Sequence, residues 1–356
     1  SSDVCSSDLY QNSTIIMIPC RMEEQNTNIQ LSLNEQDQIQ GLFFKPYKSQ
    51  KKAAKAPDGV KEREVELQIA DGKKLSGRLT TPAEGKSFPL VILLAGSGPN
   101  DMDETIYDNK PFQDIAWGLA KKGIASYRYD KRTYTYPESF TVKDTVEQEV
   151  IFDAVAAFSQ MKQQKQIDTN KIYILGHSLS GYLIPRIAAE TDGCAGYIMM
   201  AAPARALDEL LMEQVTYLAK LDGNITKDEQ AAIDQYKQDQ QDLQRIDELS
   251  DAKIFFGGMS KAYMKDLLSY DAVQQAADIK VPVLCAQGLR DYQVTEEDQA
   301  IWRKNFETHK NWKFTTYPNA THLMIDGEGT PTNEEYKTKG HVNQAFIEDM
   351  ASFIKK

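Results

Sequence analysis

The pattern of hydrophobic and polar positions changes near residue 82 from alternating segments to a strand–helix alternation. Before that point, apolar and polar residues alternate over short segments, which predicts strands at Thr14–Met22, Asn28–Leu33 and Gln38–Phe44 and a hairpin that turns at Asp71-Gly72. After it, continuous apolar runs alternate with stretches of helical periodicity. Because apolar strands between helices are typical of a parallel sheet covered on both faces, the sequence predicts an α/β fold with a mostly parallel central sheet.

The clearest strand of this sheet is the continuous apolar run Pro89–Ala95. Further strands are predicted at Ile124–Tyr129, Lys171–Leu175, Tyr197–Ala201, Val283–Gln287 and Trp312–Tyr317. The helices share an apolar stripe and are predicted at Phe112–Lys122, from Val146 to Met161, at Tyr182–Ala189 and at Val342–Ile354. Between Pro203 and Ile279 no convincing strand occurs, and residues 227–249 predict a very polar helix. A long helical insertion at the carboxyl edge of a parallel sheet is where a lid lies, so we expect a helical lid at about 204–278. Surface helices that only cover the sheet are the alternative.

The amino-terminal part is expected to be separate. Residues 1–9, SSDVCSSDL, have no structural period, resemble translated adapter sequence and are left out of the fold prediction. We therefore expect the native start to be missing together with any signal peptide, so the cellular location stays open. The three strands that follow predict the remnant of an antiparallel β accessory domain at 10–47, and a linker over Lys45–Val60 leads to a catalytic domain at 61–356.

Composition narrows the function classes. The 356 residues carry a net charge of −11, and an acidic surface repels phosphate backbones and anionic lipid, which argues against nucleic-acid or membrane-surface binding. No apolar run approaches the ~20 residues of a membrane span. The four cysteines are widely spaced without any CxxC, which supports neither a disulfide framework nor a zinc site. We expect no metal and no cofactor, and the oligomeric state cannot be read from the sequence.

The strongest chemical signal is the motif Gly176-His-Ser178-Leu-Ser-Gly181, between a predicted strand and a predicted helix. A serine on such a strained turn, a nucleophile elbow, lifts its hydroxyl clear of its neighbours, and the strain requires small flanking residues. Gly176 meets this requirement, whereas Ser180 stands where the second glycine usually lies and Gly181 follows it. The motif predicts Ser178 as a catalytic nucleophile.

A serine nucleophile needs a base and an acid that orients the base, in the chain order Ser, Asp or Glu, His. Of the four histidines, His322 alone follows a late apolar strand by a short loop, so it can reach the carboxyl edge of the sheet. Asp291 is the first carboxylate after the preceding strand, while Glu296 and Glu297 fall in the next helix and are expected to cap its start. The sequence therefore predicts Asp291 as the acid and His322 as the base.

An oxyanion that develops in acyl transfer needs backbone N–H donors. Leu179, directly after the nucleophile at a helix start, should supply one, and Ser97 in the glycine-rich loop Ala95–Asp101 should supply the other. A dinucleotide-binding loop is the rival interpretation of this loop. It fails because Asp101 stands where the third glycine of GxGxxG belongs and a proline interrupts; GxxxxGK[ST] and HExxH are also missing from the sequence.

With these motifs in place, the chain resembles the α/β-hydrolase family, and more narrowly bacterial esterases of the dienelactone-hydrolase-like and serine-aminopeptidase-like group. The resemblance rests on LLAGSGPND, SYRYDKRTY, GHSLSG, VLCAQGLRDYQV and YPNATH, in that order along nearly all of residues 62–356. It implies an α/β-hydrolase fold with Ser178 as nucleophile, Asp291 as acid and His322 as base. The stretch Gln38–Pro46 resembles the end of a small domain often found upstream of such hydrolases, and relatives are frequently exported.

The sequence thus predicts a cofactor-free serine hydrolase that cleaves carboxylic esters of small molecules through an acyl-enzyme on Ser178. One alternative is a peptidase or amidase with the same triad, although such relatives often need a large gating domain or acidic residues that grip a free amine. The other is a non-catalytic binding module on a hydrolase scaffold. The chain length of the ester cannot be read, because apolar lid residues such as Leu210, Leu211, Phe255 and Met259 could line a pocket or form the lid's own core.

Overall fold

The computed structural model describes the backbone of residues 7–10, 13–21, 26–33 and 39–46, and residues 55–356 with their side chains apart from that of Asp71. The chain divides into two compact units, Ser1–Lys55 and Ala56–Lys356. In the first unit, four antiparallel strands pair in chain order: β1 (Ser7–Tyr10), β2 (Ser13–Arg21), β3 (Asn26–Leu33) and β4 (Ile39–Pro46). The predicted antiparallel sheet is confirmed, but β1 begins inside the segment that the sequence analysis left out. The domain boundaries at 10–47 and 61–356 remain a prediction.

The second unit contains twelve further strands in the described part of the chain, namely β5 (Val60–Glu64), β6 (Leu67–Gln68), β7 (Lys74–Leu75), β8 (Gly77–Pro82), β9 (Phe88–Leu94), β10 (Ala125–Tyr129), β11 (Ile167–His177), β12 (Gly196–Met200), β13 (Ile254–Phe255), β14 (Met259–Ser260), β15 (Val283–Gly288) and β16 (Trp312–Tyr317). Eight of them form one sheet in the order β16-β15-β12-β11-β9-β10-β8-β5. The six strands from β9 onwards in this sheet are parallel, whereas β8 and β5 run antiparallel at one edge. The mostly parallel sheet predicted from the apolar runs is confirmed.

The edge strand β5 was not predicted, because Val60 is its one apolar residue and the rest of Val60–Glu64 is charged. An edge strand has a single neighbour and faces water along much of its length, so its sequence carries little periodicity. The predicted turn at Asp71-Gly72 does join two antiparallel strands, β6 and β7, through a short 3-10 turn.

The described part of the chain contains eleven α-helices, namely α1 (Pro111–Lys121), α2 (Arg132–Thr135), α3 (Phe152–Met161), α4 (Leu179–Tyr182), α5 (Ile184–Glu190), α6 (Leu207–Ala219), α7 (Lys227–Leu243), α8 (Lys261–Leu268), α9 (Ala272–Ala276), α10 (Glu296–Phe306) and α11 (Gln344–Ile354). The apolar strand β9 shows why both faces are covered. Its residues Leu90 and Ile92 join one hydrophobic core with α3 and α5, while Val91 and Leu93 join a second core with α1 and α11. Successive side chains of a strand point to opposite faces, so each face needs its own helical layer.

The insertion between β12 and β15 is mainly helical, with α6 to α9. The polar helix predicted at 227–249 begins at a capping box made by Thr226 and Glu229, and α7 ends at Leu243, before a short 3-10 turn at Ile246–Glu248. The insertion has a small apolar core of its own that includes Phe255 and Phe256. Its two-residue strands β13 and β14 were not predicted, because such a short hairpin leaves no period in the sequence. No helix among the described residues is long and apolar enough to cross a membrane.

Candidate active site

Ser178 occupies a strained turn between a strand and a helix. Strand β11 ends at His177 and α4 begins at Leu179, and Ser178 between them has φ 51° and ψ −117°. A side-chain-bearing residue at positive φ costs on the order of 1–3 kcal/mol, which persists only where the surroundings enforce it. Here the Ser178 amide donates to the carbonyl oxygen of Met200 at 2.9 Å, so the neighbouring strand β12 fixes the turn. Ser178 is half-buried and lines a cavity.

The residues around this turn must be small, as the motif predicts. A Cβ atom on Gly176 would lie 2.4 Å from the carbonyl oxygen of Ser180, and one on Gly181 would lie 2.7 Å from Cβ of Ala202. Both distances are far inside van der Waals contact. Ser180, which replaces the usual second glycine, fits because its hydroxyl donates to the carbonyl oxygen of Ala95 at 2.5 Å. The tight second position is therefore residue 181.

Asp291 and His322 are joined by a hydrogen bond. The Nδ1 atom of His322 lies 2.7 Å from Oδ2 of Asp291, and both side chains are buried. The other carboxylate oxygen, Oδ1, accepts the backbone amides of Gln293 and Val294 at 2.8 and 2.9 Å. The carboxylate is thus oriented by its own loop, and its contact with Nδ1 leaves Nε2 of His322 for another partner.

The two predicted oxyanion donors lie on the wall of the cavity that Ser178 lines. The loop that carries Ser97 abuts the nucleophile, since a Cβ atom on Gly96 would lie 3.2 Å from Cβ of Ser178. Leu179 starts helix α4, where backbone amides have no intrahelical acceptor. Within residues 55–356, neither the Ser97 amide nor the Leu179 amide donates to a protein acceptor. Both N–H groups can therefore serve a bound oxygen atom.

The cavity beside Ser178 has a volume of about 640 Å³ and is enclosed by the loop after β9, by the segment 133–142 and by the helical insertion. Its apolar wall is formed by Pro137, Phe140, Val142, Leu207, Leu210, Leu211, Ile254 and Met259. Of the apolar insertion residues singled out in the sequence, Leu210, Leu211 and Met259 line the cavity, whereas Phe255 belongs to the core of the insertion. Leu211 and Met259 also pack against this core, so they line the cavity and pack within the insertion at the same time.

One part of the cavity wall is polar and buried. Glu149 and Tyr263 line the cavity, and the Tyr263 hydroxyl donates to Oε2 of Glu149 at 2.7 Å. Burial and the Glu149 carboxylate hold the pKa of Tyr263 well above 10.0, so the phenol stays a donor. The other oxygen of Glu149 accepts Nζ of Lys131 at 2.5 Å, and Lys131 also donates to the carbonyl oxygen of Gly96 at 2.6 Å. Sequence reasoning missed this network, which connects the insertion to the loop that carries Ser97.

A second buried pair lies behind Ser178, away from the cavity. The side chain of His177 does not line the cavity, and its Nδ1 lies 2.8 Å from Oε1 of Glu104. Its Nε2 donates to the backbone carbonyl oxygen of His322 at 3.0 Å, and the two imidazole rings lie 4.6 Å apart between centroids. Burial lowers the pKa of His177, but the Glu104 carboxylate outweighs burial and raises it above 6.5. No sequence signal pointed to Glu104.

The other two histidines, His309 and His341, lie away from Ser178. His309 packs its ring edge-on against Phe306, and His341 is largely exposed and faces Asp114. Within residues 55–356 no group of three or more His, Cys, Asp or Glu side chains is arranged to hold a metal ion.

Comparison with known proteins places this geometry in a family. Residues 109–329 match the profile of a family described as serine aminopeptidase, S33. The esterase EstD of Thermotoga maritima is 39% identical over 328 residues, which cover 92% of this chain and 76% of that protein.

Two solved structures share the fold at low sequence identity. Est1E from Butyrivibrio proteoclasticus superposes with a TM-score of 0.53 at 18% identity, over 82% of this chain and 99% of that chain. An esterase of Pyrococcus furiosus has a TM-score of 0.52 at 17% identity, over 83% of this chain and 90% of that chain. The family profile spans more than half of the chain and the identity with EstD extends over most of it. The chain is therefore an enzyme of the α/β-hydrolase fold and belongs to the serine aminopeptidase S33 family.

Proposed function

We propose that this enzyme is a serine esterase that cleaves carboxylic esters of small molecules through an acyl-enzyme on Ser178. The observation that carries the proposal is the position of Ser178. It is held at positive φ on the cavity wall and directly follows His177, whose ring packs against that of His322. The hydrogen bond between Asp291 and His322 supports the roles of these two residues as acid and base. The identity with EstD supports an ester as the substrate.

In the first half-reaction, Nε2 of His322 takes the proton of the Ser178 hydroxyl while Oγ attacks the carbonyl carbon of the ester. The carbonyl π electrons move to oxygen, and the Ser97 and Leu179 amides donate to this oxyanion. The tetrahedral intermediate collapses, the bond from carbon to the alkoxy oxygen breaks, and the alcohol leaves with the proton from His322. Asp291 accepts the hydrogen bond from Nδ1–H of His322 and stabilises the imidazolium that exists between the two proton transfers.

In the second half-reaction, water replaces the alcohol. His322 removes a proton from the water molecule, whose oxygen attacks the acyl carbon, and the same two amides receive the second oxyanion. When this intermediate collapses, the bond between carbon and Oγ of Ser178 breaks and the serine recovers its proton from His322. The products are a carboxylic acid and the free enzyme, with no change of oxidation state at any atom.

A fluorophosphonate probe tests the nucleophile, because it labels an activated serine covalently. We expect the wild-type chain to be labelled and to hydrolyse p-nitrophenyl esters. Ser178→Ala should abolish labelling and lower turnover on the order of 10⁴–10⁶-fold. The matched control is Ser180→Ala, which removes a hydroxyl two residues away that donates to Ala95. Equal labelling of wild type and Ser178→Ala rejects the proposal, and binding of an ester without any turnover would indicate a binding module.

The alternative substrate is a peptide or another amide, and the cavity wall argues against a free amino terminus. Glu149 is the one carboxylate among the described residues that line the cavity. Both of its oxygens already accept hydrogen bonds, from Lys131 and Tyr263, and the charge of Lys131 balances that of the carboxylate, so Glu149 attracts a substrate ammonium group only weakly. Side-by-side assays decide: we expect aryl esters to be turned over, aminoacyl anilides to be poor substrates, and a free α-amino group on an ester to bring no gain. Faster turnover of the anilides would reverse this choice.

A further inference from the structure

The buried pair of Glu104 and His177 is not used in the reaction proposed above, yet it touches both loops that the reaction needs. His177 is 2% exposed and Glu104 is 5% exposed, and neither side chain lines the cavity. One oxygen of Glu104, Oε1, accepts the backbone amide of Gly96 at 2.7 Å and also faces Nδ1 of His177 at 2.8 Å. The other side of the His177 ring donates to the carbonyl oxygen of His322. A continuous chain of hydrogen bonds therefore joins the loop of Ser97 to the loop of His322.

The protons of this chain are set by its partners. A backbone carbonyl oxygen can only accept, so Nε2 of His177 must carry a proton. A carboxylate oxygen that already accepts the Gly96 amide favours a proton on Nδ1 as well. The ring is then an imidazolium paired with a carboxylate, which is the form that makes every contact in the chain favourable.

Two features of Glu104 show that this arrangement is maintained at a cost to the fold. The backbone of Glu104 adopts φ 52°, a conformation that side-chain-bearing residues rarely take. Its second oxygen, Oε2, is buried without a hydrogen-bond partner in the described part of the chain. Strained backbone and unsatisfied polar atoms persist where the geometry serves a purpose other than stability.

We propose that the Glu104–His177 ion pair is a positioning device of the active site, which fixes the oxyanion loop at Gly96 relative to the backbone of His322. The proposal rests on the proposed roles of Ser178, His322 and the Ser97 amide. His177 and Glu104 are positioning residues, because neither touches the cavity in which the ester would lie. Their loss should therefore lower kcat and leave KM nearly unchanged.

The device depends on pH through the proton on Nδ1 of His177. The charged or titratable groups that face His177 are Glu104 from the loop after β9, Asp291 from the loop after β15 and the neighbouring His322. Because Glu104 raises the pKa of His177 above 6.5, the imidazolium persists to a higher pH than that of an ordinary histidine and is lost as pH rises through the raised value. Deprotonation turns a bare Nδ1 lone pair toward the carboxylate and breaks the link, so kcat should have an alkaline limb that belongs to His177.

Three variants test the proposal with p-nitrophenyl ester kinetics from pH 5.5 to 9.5. His177→Ala removes the link, and we expect kcat to fall about 10- to 100-fold because a displacement of about 1 Å has that effect on catalysis. His177→Gln keeps an amide donor for the carbonyl oxygen of His322 but cannot titrate. It should recover a large part of kcat and lose the alkaline limb. Glu104→Gln removes the charge that raises the pKa of His177, so its alkaline limb should move to lower pH.

Asp153→Asn is the matched control, because Asp153 is an equally buried carboxylate that pairs with Arg132 and contacts neither loop. It should lower the melting temperature and leave the pH profile of kcat unchanged. Profiles of Glu104→Gln and His177→Gln that superimpose on that of wild type overturn the proposal, as does the same shift in Asp153→Asn. If Glu104→Gln does not fold, the presence or absence of the alkaline limb of kcat in His177→Gln decides the proposal by itself. A wild type that fluorophosphonate does not label at Ser178 rejects the proposed function instead, which separates the two failures.

Discussion

Nδ1 of His322 lies 2.7 Å from Oδ2 of Asp291, and this hydrogen bond joins two loops at the carboxyl edge of the sheet. Each loop follows one of two neighbouring parallel strands, β15 and β16, so their ends meet although 31 residues separate the two side chains. Parallel strands place their carboxyl ends at the same edge, which is why open α/β sheets bind ligands there.

Asp291→Asn tests the orienting role of this carboxylate. The amide oxygen can still accept the amides of Gln293 and Val294, so the loop should fold as before. Its NH₂ group then faces Nδ1 of His322, which forces the proton to Nε2, the atom that accepts the serine proton in the proposed mechanism. We expect kcat for esters to fall about 10³–10⁴-fold, measured by p-nitrophenyl ester kinetics. Asp326→Asn, in the loop after His322, is the control and should change kcat little; a similar small effect in Asp291→Asn would remove Asp291 from the triad.

Gly176→Ala tests the steric demand of the turn. The added Cβ would lie 2.4 Å from the carbonyl oxygen of Ser180, and a backbone atom cannot move aside as a flexible side chain can. We expect the free energy of unfolding, measured by urea denaturation, to fall by at least about 2 kcal/mol and ester turnover to fall with it. Gly258→Ala is the matched control, since a Cβ there meets no atom within 4 Å. A Gly176→Ala variant as stable as Gly258→Ala would mean that the turn is looser than the structure has it.

Asp103→Asn tests a buried ion pair next to Glu104. Burial opposes ionisation of Asp103, but Arg128 and Lys110 outweigh it and hold the pKa of Asp103 below 3.8. A carboxylate with a lowered pKa stabilises the fold at every pH above its unfolded value and loses this effect only as pH falls through the folded value. Removing this carboxylate leaves the charge of the fully buried Arg128 guanidinium less well balanced. The free energy of unfolding at pH 7 should therefore fall by about 3–5 kcal/mol.

The pH dependence of that difference is the sharper measurement. Urea denaturation of wild type and Asp103→Asn should give the same difference at pH 7 and at pH 5, since Asp103 is ionised in both conditions. Asp349→Asn, which removes a partly exposed partner of Lys313, should show a small difference throughout. A difference for Asp103→Asn that already shrinks between pH 7 and pH 5 would contradict the lowered pKa.

Much of the fold and part of the site could be predicted from the sequence, for physical reasons. The strand predicted at Pro89–Ala95 lies at Phe88–Leu94, one residue earlier, because its inner position between β10 and β11 selects a continuous apolar run. The motif around Ser178 could be recognised because its strain demands small neighbours close in sequence. Glu104 could not, since its partner His177 lies 73 residues away and nothing local marks the pair. The pair of Lys131 and Glu149 could not be predicted either, because 18 residues separate the two.

Leu210→Ala tests whether the insertion sets the ester preference. Leu210 is 1% exposed and lines the cavity, so its truncation should enlarge the apolar part of the cavity next to Ser178. A methylene-sized change in such a pocket alters discrimination about 10-fold or more. We therefore expect the ratio of kcat/KM for longer to shorter p-nitrophenyl esters to rise about 10-fold.

The control for this prediction is Phe255→Leu, which alters a fully buried residue of the insertion core that does not line the cavity. Both variants should lower the melting temperature, because each removes part of a buried apolar side chain. Only Leu210→Ala should change the chain-length ratio. If Phe255→Leu changes that ratio equally, the preference follows the stability of the insertion and not the shape of the cavity, and if neither does, the acyl chain binds elsewhere.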